Sequence, residues 1–457
     1  MGVFFLATLL WAGASGENAN GQESSGDAVA EKGAVAEKND DREQATEPST
    51  DSPNPENSAM EADEESLTQE DGETLSDGGK DAAEDDETDP EREAMEKERL
   101  AELAIRLAAF RENEKELRKL QFAQRSMYVN YVNDVKRGPA ERKQYYDSRI
   151  KLLKKYNETY DAALRTFRAG FDQGVVSFLM TWVQNRNATD IYNESTFEGA
   201  ARMLDSGARF RFLFQAASRS AVVAGEFASA KRILSTLDED EKEDVDLVME
   251  QLLDKHEEYF LYEKKIRAEE AELELPQVRL QTTRGDVLIE LYLNQAPSTV
   301  AHFIGLVEQG FYDDCDFYQV VDHLVALTGD PGGTGDGNCG KFLIDEHENE
   351  NARKALRGSL AMAKIPIPKS NGKYIPNSAS SQFAITLLPI LQMSESQTIF
   401  GRVIEGMDAV CRMRRVDPSK EKKKGEIVFP PDRIIEATVV RRPETLPEPK
   451  YVQLPGH

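Results

Sequence analysis

The sequence predicts a multidomain protein: a disordered acidic N-terminal segment, then an all-α helical module, then a closed antiparallel β-barrel, along 457 residues. Three observations lead to this prediction. Residues 17–90 hold 25 Asp and Glu against 4 Lys and Arg, apolar residues then recur at helical spacing, and from Pro276 the pattern changes to short strands. A chain of this length exceeds what one hydrophobic core usually organises, which favours separate folded units.

The first 14 residues are predicted to be a signal peptide. They form an apolar run that ends in Ala12-Gly13-Ala14, the small-residue pattern of a signal-peptidase site. The run is too short to span a bilayer as a mature helix, so we expect an exported chain, periplasmic or secreted, with no membrane span after cleavage. Because no Lys or Arg precedes the run, a buried or interfacial N-terminal segment is the alternative.

Residues 15–90 are predicted to be a disordered acidic linker. They carry too few apolar side chains to offset the entropy lost on ordering. The charges counted above sum to 4 − 25 = -21, which is most of the net charge of -27. Since the rest of the chain has no basic stripe to neutralise phosphates, nucleic acid is not an expected partner.

Residues 91–275 are predicted to form a module of helical hairpins. Leu103, Leu107 and Phe110 recur at helical spacing among charged residues, and Gly138-Pro139 ends this stretch. Further periodic segments cover 140–170, 172–186, 195–205, 208–236 and 240–270. The spacing fits a bundle or a short solenoid, and it fixes neither the role of the module nor the oligomeric state.

The C-terminal part is predicted to be a barrel of short strands. Residues 278–282 and 287–293 indicate a hairpin, and Ala296-Pro297 opens a helix with Val300 and Phe303 on its apolar face. Further strands are expected at 316–322, 325–328, 358–364, 381–386, 397–403 and 432–441. Many short strands with only two plausible helices favour a closed barrel, because closure removes exposed sheet edges.

Seven stretches of this part carry a family signature in their order and spacing. They are TTRGDVLIEL at 282–291, APSTVAHF at 296–303, GFYD at 310–313, GDPGGTG at 329–335, GSLAMA at 358–363, SSQFAI at 380–385 and FGRVIEGMD at 400–408. Together they make residues 276–443 resemble the cyclophilin-type peptidyl-prolyl cis-trans isomerases, with 444–457 as a tail. The resemblance implies a cyclophilin-like eight-stranded antiparallel β-barrel with two capping helices, and a groove for proline-containing polypeptide segments.

The implied reaction is rotation about an X-Pro imide bond, which needs neither nucleophile nor cofactor, only a site that favours the twisted peptide. The family uses an arginine that hydrogen-bonds at the imide, and Gln319 occupies its position in this chain. Residues implied to bind substrate include three that match the family, Met362, Ala363 and Gln382. The others are substitutions or looser equivalents: Leu324, Leu327, Ala384, Met393 and Gln397.

These substitutions predict a weakened enzyme. An amide donor lacks the charge of a guanidinium, and Ala384 in place of an aromatic side chain widens the proline pocket. Two hypotheses follow: a slow isomerase that assists the folding of exported proteins, or a noncatalytic module that binds proline-containing segments beside a helical interaction domain.

Three cysteines are too few for a disulfide framework or a zinc site, and no cluster of side chains has metal-ligand spacing. Free thiols are the simpler interpretation. The resemblance implies that the loops of Cys315 and Cys339 lie near each other, so an exported chain leaves that pairing open. His323 falls near the groove in the same alignment, where a turn histidine is the expected role.

Overall fold

A computed structural model of the protein describes residues 90–133, 138–370, 372–417 and 430–454. The predicted signal peptide at 1–14 and, apart from Pro90, the predicted acidic linker at 15–90 lie outside these residues. From residue 91 onward the described residues belong to one compact unit, in which helices precede strands. Within the described ranges, no helix combines the length and the apolarity needed to cross a membrane.

The first half of this unit is helical, as the periodicity predicts. Its helices are α1 (Pro90–Asn133), α2 (Pro139–Ala169), α3 (Gln173–Ala188), α4 (Glu194–Asp205), α5 (Arg211–Ala224), α6 (Phe227–Leu234), α7 (Asp244–Gln251) and α8 (Leu253–Glu269). Side-chain caps fix two of the starts, because Asp172 accepts the Val175 N–H at 3.0 Å and Asn193 accepts the Thr196 N–H at 2.9 Å.

One apolar core joins α2, α3, α4 and α5. Its fully buried side chains include Tyr160, Leu179, Val183, Ala200 and Leu213. The long helix α1 reaches this core through Phe110, whose ring meets that of Phe178 edge-on at a centroid distance of 5.3 Å. The helices are therefore held by packing rather than by their own propensity.

The second half is a strand-rich domain. Its strands are β1 (Gln277–Thr282), β2 (Gly285–Leu291), β3 (Gln319–Val320), β4 (Val325–Thr328), β5 (Phe342–Leu343), β6 (Ser359–Met362), β7 (Phe383–Thr386), β8 (Ile399–Glu405), β9 (Ile434–Arg441) and β10 (Tyr451–Val452). Eight of them form a curled antiparallel sheet in the order β3-β4-β7-β6-β8-β2-β1-β9. The predicted hairpin is confirmed, with Gln277 to Thr282 paired against Glu290 to Gly285.

Two helices accompany the sheet, α9 (Pro297–Glu308) and α10 (Met407–Cys411). Pro297 lies at the start of α9, where a missing N–H is tolerated. Phe303 of α9 reaches the core of the sheet, with ring centroids 5.4 Å from Phe383 and 5.2 Å from Phe400. The apolar face expected for this helix is therefore the one that packs on the sheet.

The C-terminal tail is paired with the domain, which the sequence did not indicate. Tyr451 and Val452 form β10 and pair antiparallel with Leu343 and Phe342 of β5. Two-residue strands leave almost no alternation for a pattern to detect.

All three cysteines are free thiols, so the pairing of Cys315 with Cys339 that the resemblance left open is not found in this structure. Cys315 and Cys411 are buried, and the Cys315 thiol donates to the Phe311 carbonyl at 3.4 Å.

The helical part and the sheet share apolar packing. Ile191, in the loop after α3, is fully buried in the same cluster as the sheet core, and Tyr192 clusters with Leu388. Polar contacts cross the same junction, because Asn157 of α2 donates to Asp408 of α10 at 3.0 Å. The two parts are therefore not joined by the chain alone.

Candidate active site

The strand register brings three of the predicted site residues into one row. Gln319 of β3 pairs with Leu327 of β4, and Leu327 pairs with Ala384 of β7. Directly paired residues on neighbouring strands point to the same face of a sheet. The position of the family's arginine thus lies in one row with two positions that the resemblance implies bind substrate.

An apolar cluster adjoins this row. Leu324, Ala384 and Met393 belong to it and are between 2% and 8% exposed, and Leu327 is half-buried against it. The 3-10 turn Leu391–Glu395 supplies Met393, and the turn after β3 supplies Leu324. These side chains offer the apolar surface that a proline ring needs.

Met362 does not join this cluster. It is directly paired with Phe383, and both belong to the core on the other face of the sheet, whereas Ala361 and Ala384 face the site. Alternation along a strand requires this, because adjacent side chains point to opposite faces. The Met362 side chain therefore lies on the face away from the cluster, and its role in binding substrate stays a prediction. Ala363 follows it, and its N–H is bonded to the Gln382 carbonyl at 3.0 Å.

Gln319 has a free hydrogen-bond donor. The residue is only 7% exposed, yet across the described ranges its side-chain amide bonds to no protein group and is not sealed from solvent. A buried amide without a partner is costly unless water or a ligand reaches it. The amide is thus available to a bound peptide.

The other donors near the site are already engaged. Gln382 donates to the carbonyls of Gly335 at 3.0 Å and Gly337 at 2.6 Å, and its amide oxygen accepts from Tyr318 at 2.6 Å. Gln397 hydrogen-bonds Tyr374. Neither glutamine is placed to substitute for the missing arginine without giving up a protein contact.

One side of the site is built by residues 329–337, which we call the glycine-rich flank. The fully buried Asp330 accepts the N–H groups of Gly332 at 2.7 Å, Thr334 at 2.9 Å and Gly335 at 2.7 Å. Burial opposes the charged form, but these backbone donors outweigh it and lower the pKa of Asp330. Gly329 has φ +88°, and a Cβ there would lie 2.4 Å from the Ser381 carbonyl oxygen, so no other residue fits.

The other side is built by residues 321–324, which we call the histidine flank. His323 has φ +63°, in the left-handed region. Its backbone N–H donates to Asp190 Oδ2 at 3.0 Å, and its ring Nδ1 contacts Asp190 Oδ1. Burial opposes protonation, but Asp190 and Glu243 more than compensate and raise the pKa of His323 to about 9. The turn predicted for His323 is confirmed, but its contact with the helical part was not anticipated.

Lys364 is a site neighbour that the sequence did not single out. Its side chain is 4% exposed and donates to Asp345 Oδ2 at 2.6 Å and to the Ser396 carbonyl at 3.0 Å. It therefore ties the segment before Gln397 to the chain after β5. In the sequence, the one indication that Lys364 lies near the site is that it directly follows Ala363. In the described part of the chain, no group of three or more metal-binding side chains is found.

The strand-rich domain is similar in sequence to known proteins. The family model "Cyclophilin type peptidyl-prolyl cis-trans isomerase/CLD" matches residues 277–439. "Peptidyl-prolyl cis-trans isomerase-like 1" of Gibberella zeae is 33% identical over 169 residues, covering 36% of this chain and 96% of the relative. "Peptidyl-prolyl cis-trans isomerase ppi1" of Schizosaccharomyces pombe is 38% identical over 138 residues, covering 30% of this chain and 83% of the relative.

A solved cyclophilin type isomerase from Cryptosporidium parvum, crystallised in the presence of the dipeptide Ala-Pro, is 28% identical, with a TM-score of 0.30. The match covers 36% of this chain and 99% of that chain. The matched family region coincides with the strand-rich domain from β1 to β9 and includes the row that begins at Gln319. Through this C-terminal domain, the chain belongs to the cyclophilin-type peptidyl-prolyl cis-trans isomerase family.

Proposed function

We propose that the protein is a slow prolyl isomerase, in which Gln319 gives the X-Pro imide a neutral hydrogen bond where the family gives a charged one. The single observation that carries this proposal is the Gln319 amide, which has no protein partner among the described residues and is in register with Leu327. Its substrates would be proline-containing segments of polypeptides, and the reaction needs no cofactor.

The weakness of the enzyme follows from the kind of donor. A hydrogen bond from a charged group contributes about 1.5–3 kcal/mol, and a neutral one about 1 kcal/mol. At about 1.4 kcal/mol per tenfold in rate, the exchange of arginine for glutamine lowers the rate about 2- to 30-fold. The smaller Ala384 side chain adds to this loss, because it positions the ring less closely.

The second candidate is a noncatalytic module that binds proline-containing segments. It is favoured by the packing of the cluster, in which Leu324, Ala384 and Met393 are all buried against one another. Because these side chains fill the pocket themselves, they leave little room for the twisted prolyl ring that catalysis requires. A shallow contact with a proline-containing segment needs less space.

An exchange experiment by NMR on an Ala-Pro peptide, with the full chain, separates the two. For the isomerase, Gln319→Arg raises the exchange rate about 2- to 30-fold and Gln319→Leu lowers it, while peptide affinity changes little. For the binding module, the wild-type chain binds the peptide without accelerating exchange, and Gln319→Leu changes neither quantity. A wild-type rate typical of the family, unchanged in Gln319→Leu, would show that another donor does the work.

We propose the wider organisation as well: a signal peptide at 1–14, an acidic linker at 15–90, a helical module at 91–275, a barrel at 276–443 capped by α9 and α10, and a tail at 444–457. One isolated bridge supports closure of the sheet, Asp316 with Arg433, since it joins the residues just before the two edge strands β3 and β9. Export rests on the N-terminal sequence, and its test is the N-terminal residue of the mature protein, expected near Ser15.

A further inference from the structure

The histidine flank holds a conformation that its own residues do not favour. Between β3 and β4 the chain turns tightly, with the Val321 N–H bonded to the Val325 carbonyl at 2.9 Å and the Leu324 N–H to the Val321 carbonyl at 3.2 Å. His323 lies in this turn at φ +63°, where a residue with a Cβ is strained. Such a conformation persists when its surroundings impose it.

The helical part supplies the residue that holds it. Asp190, in the loop after α3, binds both the backbone N–H and the ring of His323, and its carboxylate is 1% exposed. Asp190 is itself fixed, because Arg415 Nη2 donates to its Oδ2 at 2.7 Å and the Cys411 thiol donates to its carbonyl at 3.2 Å. Two residues at positive φ, Asp190 at +59° and His323 at +63°, thus face each other across the junction.

The other ring nitrogen of His323 meets a second set of charges. His323 Nε2 lies 3.3 Å from Glu243 Oε2 and 3.3 Å from Arg219 Nη1. Arg219 is 1% exposed and is paired with Asp246 at 2.7 Å and Glu243 at 2.8 Å. The charged and titratable groups that face this histidine, directly or through these partners, include Asp190, Tyr192, Arg211, Arg219, Glu243, Asp246, Asp322, Cys411 and Arg415.

The charges of this cluster favour a protonated ring. Its carboxylates outnumber its guanidinium groups by four (Asp190, Glu243, Asp246, Asp322) to three (Arg211, Arg219, Arg415). An imidazolium at His323 offsets that excess and can donate from both nitrogens, to Asp190 and to Glu243. Deprotonation leaves only one donor for these two carboxylates.

The conformation of His323 affects the proline pocket through the residue that follows it, Leu324. Leu324 follows His323 directly, and its carbonyl accepts the Leu387 N–H at 2.7 Å. Its side chain is packed in the cluster of Ala384 and Met393. The conformation of His323 therefore determines where Leu324 stands against the pocket.

We propose that Asp190 is a positioning residue for the proline site: by binding His323, it sets Leu324, so that the helical part completes a pocket that the sheet alone does not define. The positioning role rests on the proposed function, because it requires that the pocket binds proline-containing peptides. The contact between Asp190 and His323 does not depend on that function.

The test compares Asp190→Asn with the wild type in the full chain, by titration of an Ala-Pro peptide. Asparagine tolerates the positive φ of position 190 and has nearly the same size, but it removes the charge that binds the ring. We expect the dissociation constant to rise about 2- to 10-fold, as for the exchange of a charged hydrogen bond for a neutral one. Wild-type affinity should fall with a midpoint near the His323 pKa of about 9, and this midpoint should move to lower pH in the variant.

Two further variants keep the test decisive. Asn157→Ala removes another contact between the helical part and the sheet domain, the bond to Asp408, and should leave affinity and pH profile unchanged. His323→Gly adopts the positive φ without strain and has no ring to titrate, so the alkaline loss of affinity should disappear. Unchanged affinity and pH profile in Asp190→Asn would overturn the proposal.

Methyl NMR signals of Leu324 and Met393 distinguish the failure of this inference from the failure of the proposed function. If the wild type binds no peptide, the proposed function fails, but those signals should still shift with the titration of His323 and in Asp190→Asn. If they do not move, the positioning role is wrong whether or not peptide binds.

Discussion

The two flanks of the site are held by different means. In the glycine-rich flank, one buried carboxylate, Asp330, gathers backbone N–H groups from its own loop. In the histidine flank, the partner of His323 is Asp190, which lies more than 130 residues earlier in the helical part. The first flank depends on local chain geometry, and the second depends on docking and on a titrating ring. One side of the site is thus self-contained, and we expect the other side to respond to pH.

The largest expected effect tests the self-contained flank. Asp330→Ala leaves at least three backbone N–H groups without an acceptor, and we expect a loss of about 4 kcal/mol in the free energy of unfolding. Urea denaturation of the full chain measures it. Asp336→Ala, at an exposed residue of the same loop, is the matched control and should change stability by less than about 0.5 kcal/mol. A loss of under about 1 kcal/mol in Asp330→Ala would mean that the loop does not depend on this carboxylate.

The next effect tests the flank that depends on docking. The folded state raises the pKa of His323 from 6.5 to about 9, so its contribution to stability is fully present below pH 6.5 and is lost as pH rises through 9. The loss is at most about 3 kcal/mol, by linkage. Urea unfolding between pH 6 and 10 measures it, and His323→Gly should flatten this part of the profile. A wild-type profile that stays level over this range would contradict the raised pKa.

A smaller effect concerns the pocket between the flanks. Ala384 is 2% exposed in the cluster of Leu324 and Met393, so Ala384→Phe overfills that space and should destabilise the chain by about 2 kcal/mol. Thermal unfolding measures this. Combined with Met393→Ala, which makes room, the phenyl ring should be accommodated and peptide affinity should rise. If Ala384→Phe alone is neutral in stability, the pocket is roomier than the packing implies.

The smallest effect concerns the link between the glycine-rich flank and β7. Gln382→Leu removes the bonds to Gly335, Gly337 and Tyr318, and we expect a loss of about 1 kcal/mol. The pKa of His323, followed by NMR, should stay at its wild-type value because the two flanks share no polar contact in the described residues. A shift of that pKa in Gln382→Leu would show that the flanks are coupled.

The sequence could predict the family region and most of its elements because motif order and strand alternation are local. Three of the predicted site residues, Gln319, Leu327 and Ala384, lie in one row of paired strand positions, and their roles at the site stay predictions. Strand alternation adds one refinement: Met362, which the motif also suggested for substrate binding, has its side chain in the core of the sheet domain.

The sequence could not predict the long-range contacts between the helical part and the sheet domain. Asp190 lies in a short loop, and nothing in its sequence surroundings indicates a partner at His323. Arg219 and Asp246, from two different helices, form a buried ion pair. From sequence alone, a single charged residue in a helical segment is normally predicted to face solvent. Pairings of this kind depend on how the helical part docks, which no local pattern encodes.

The burial of Ile191 within the sheet core has a consequence for biosynthesis. The chain is made from its N-terminus, so this side chain emerges from the ribosome before any strand of the described residues exists. The helical part can form its own core early, but Ile191 has no apolar partners from the sheet until β1 and β2 have been synthesised. The last strand of the large sheet, β9, begins only at Ile434, some 240 residues later. During that interval a nascent chain exposes an apolar docking surface, the kind of surface on which folding helpers act and aggregation begins.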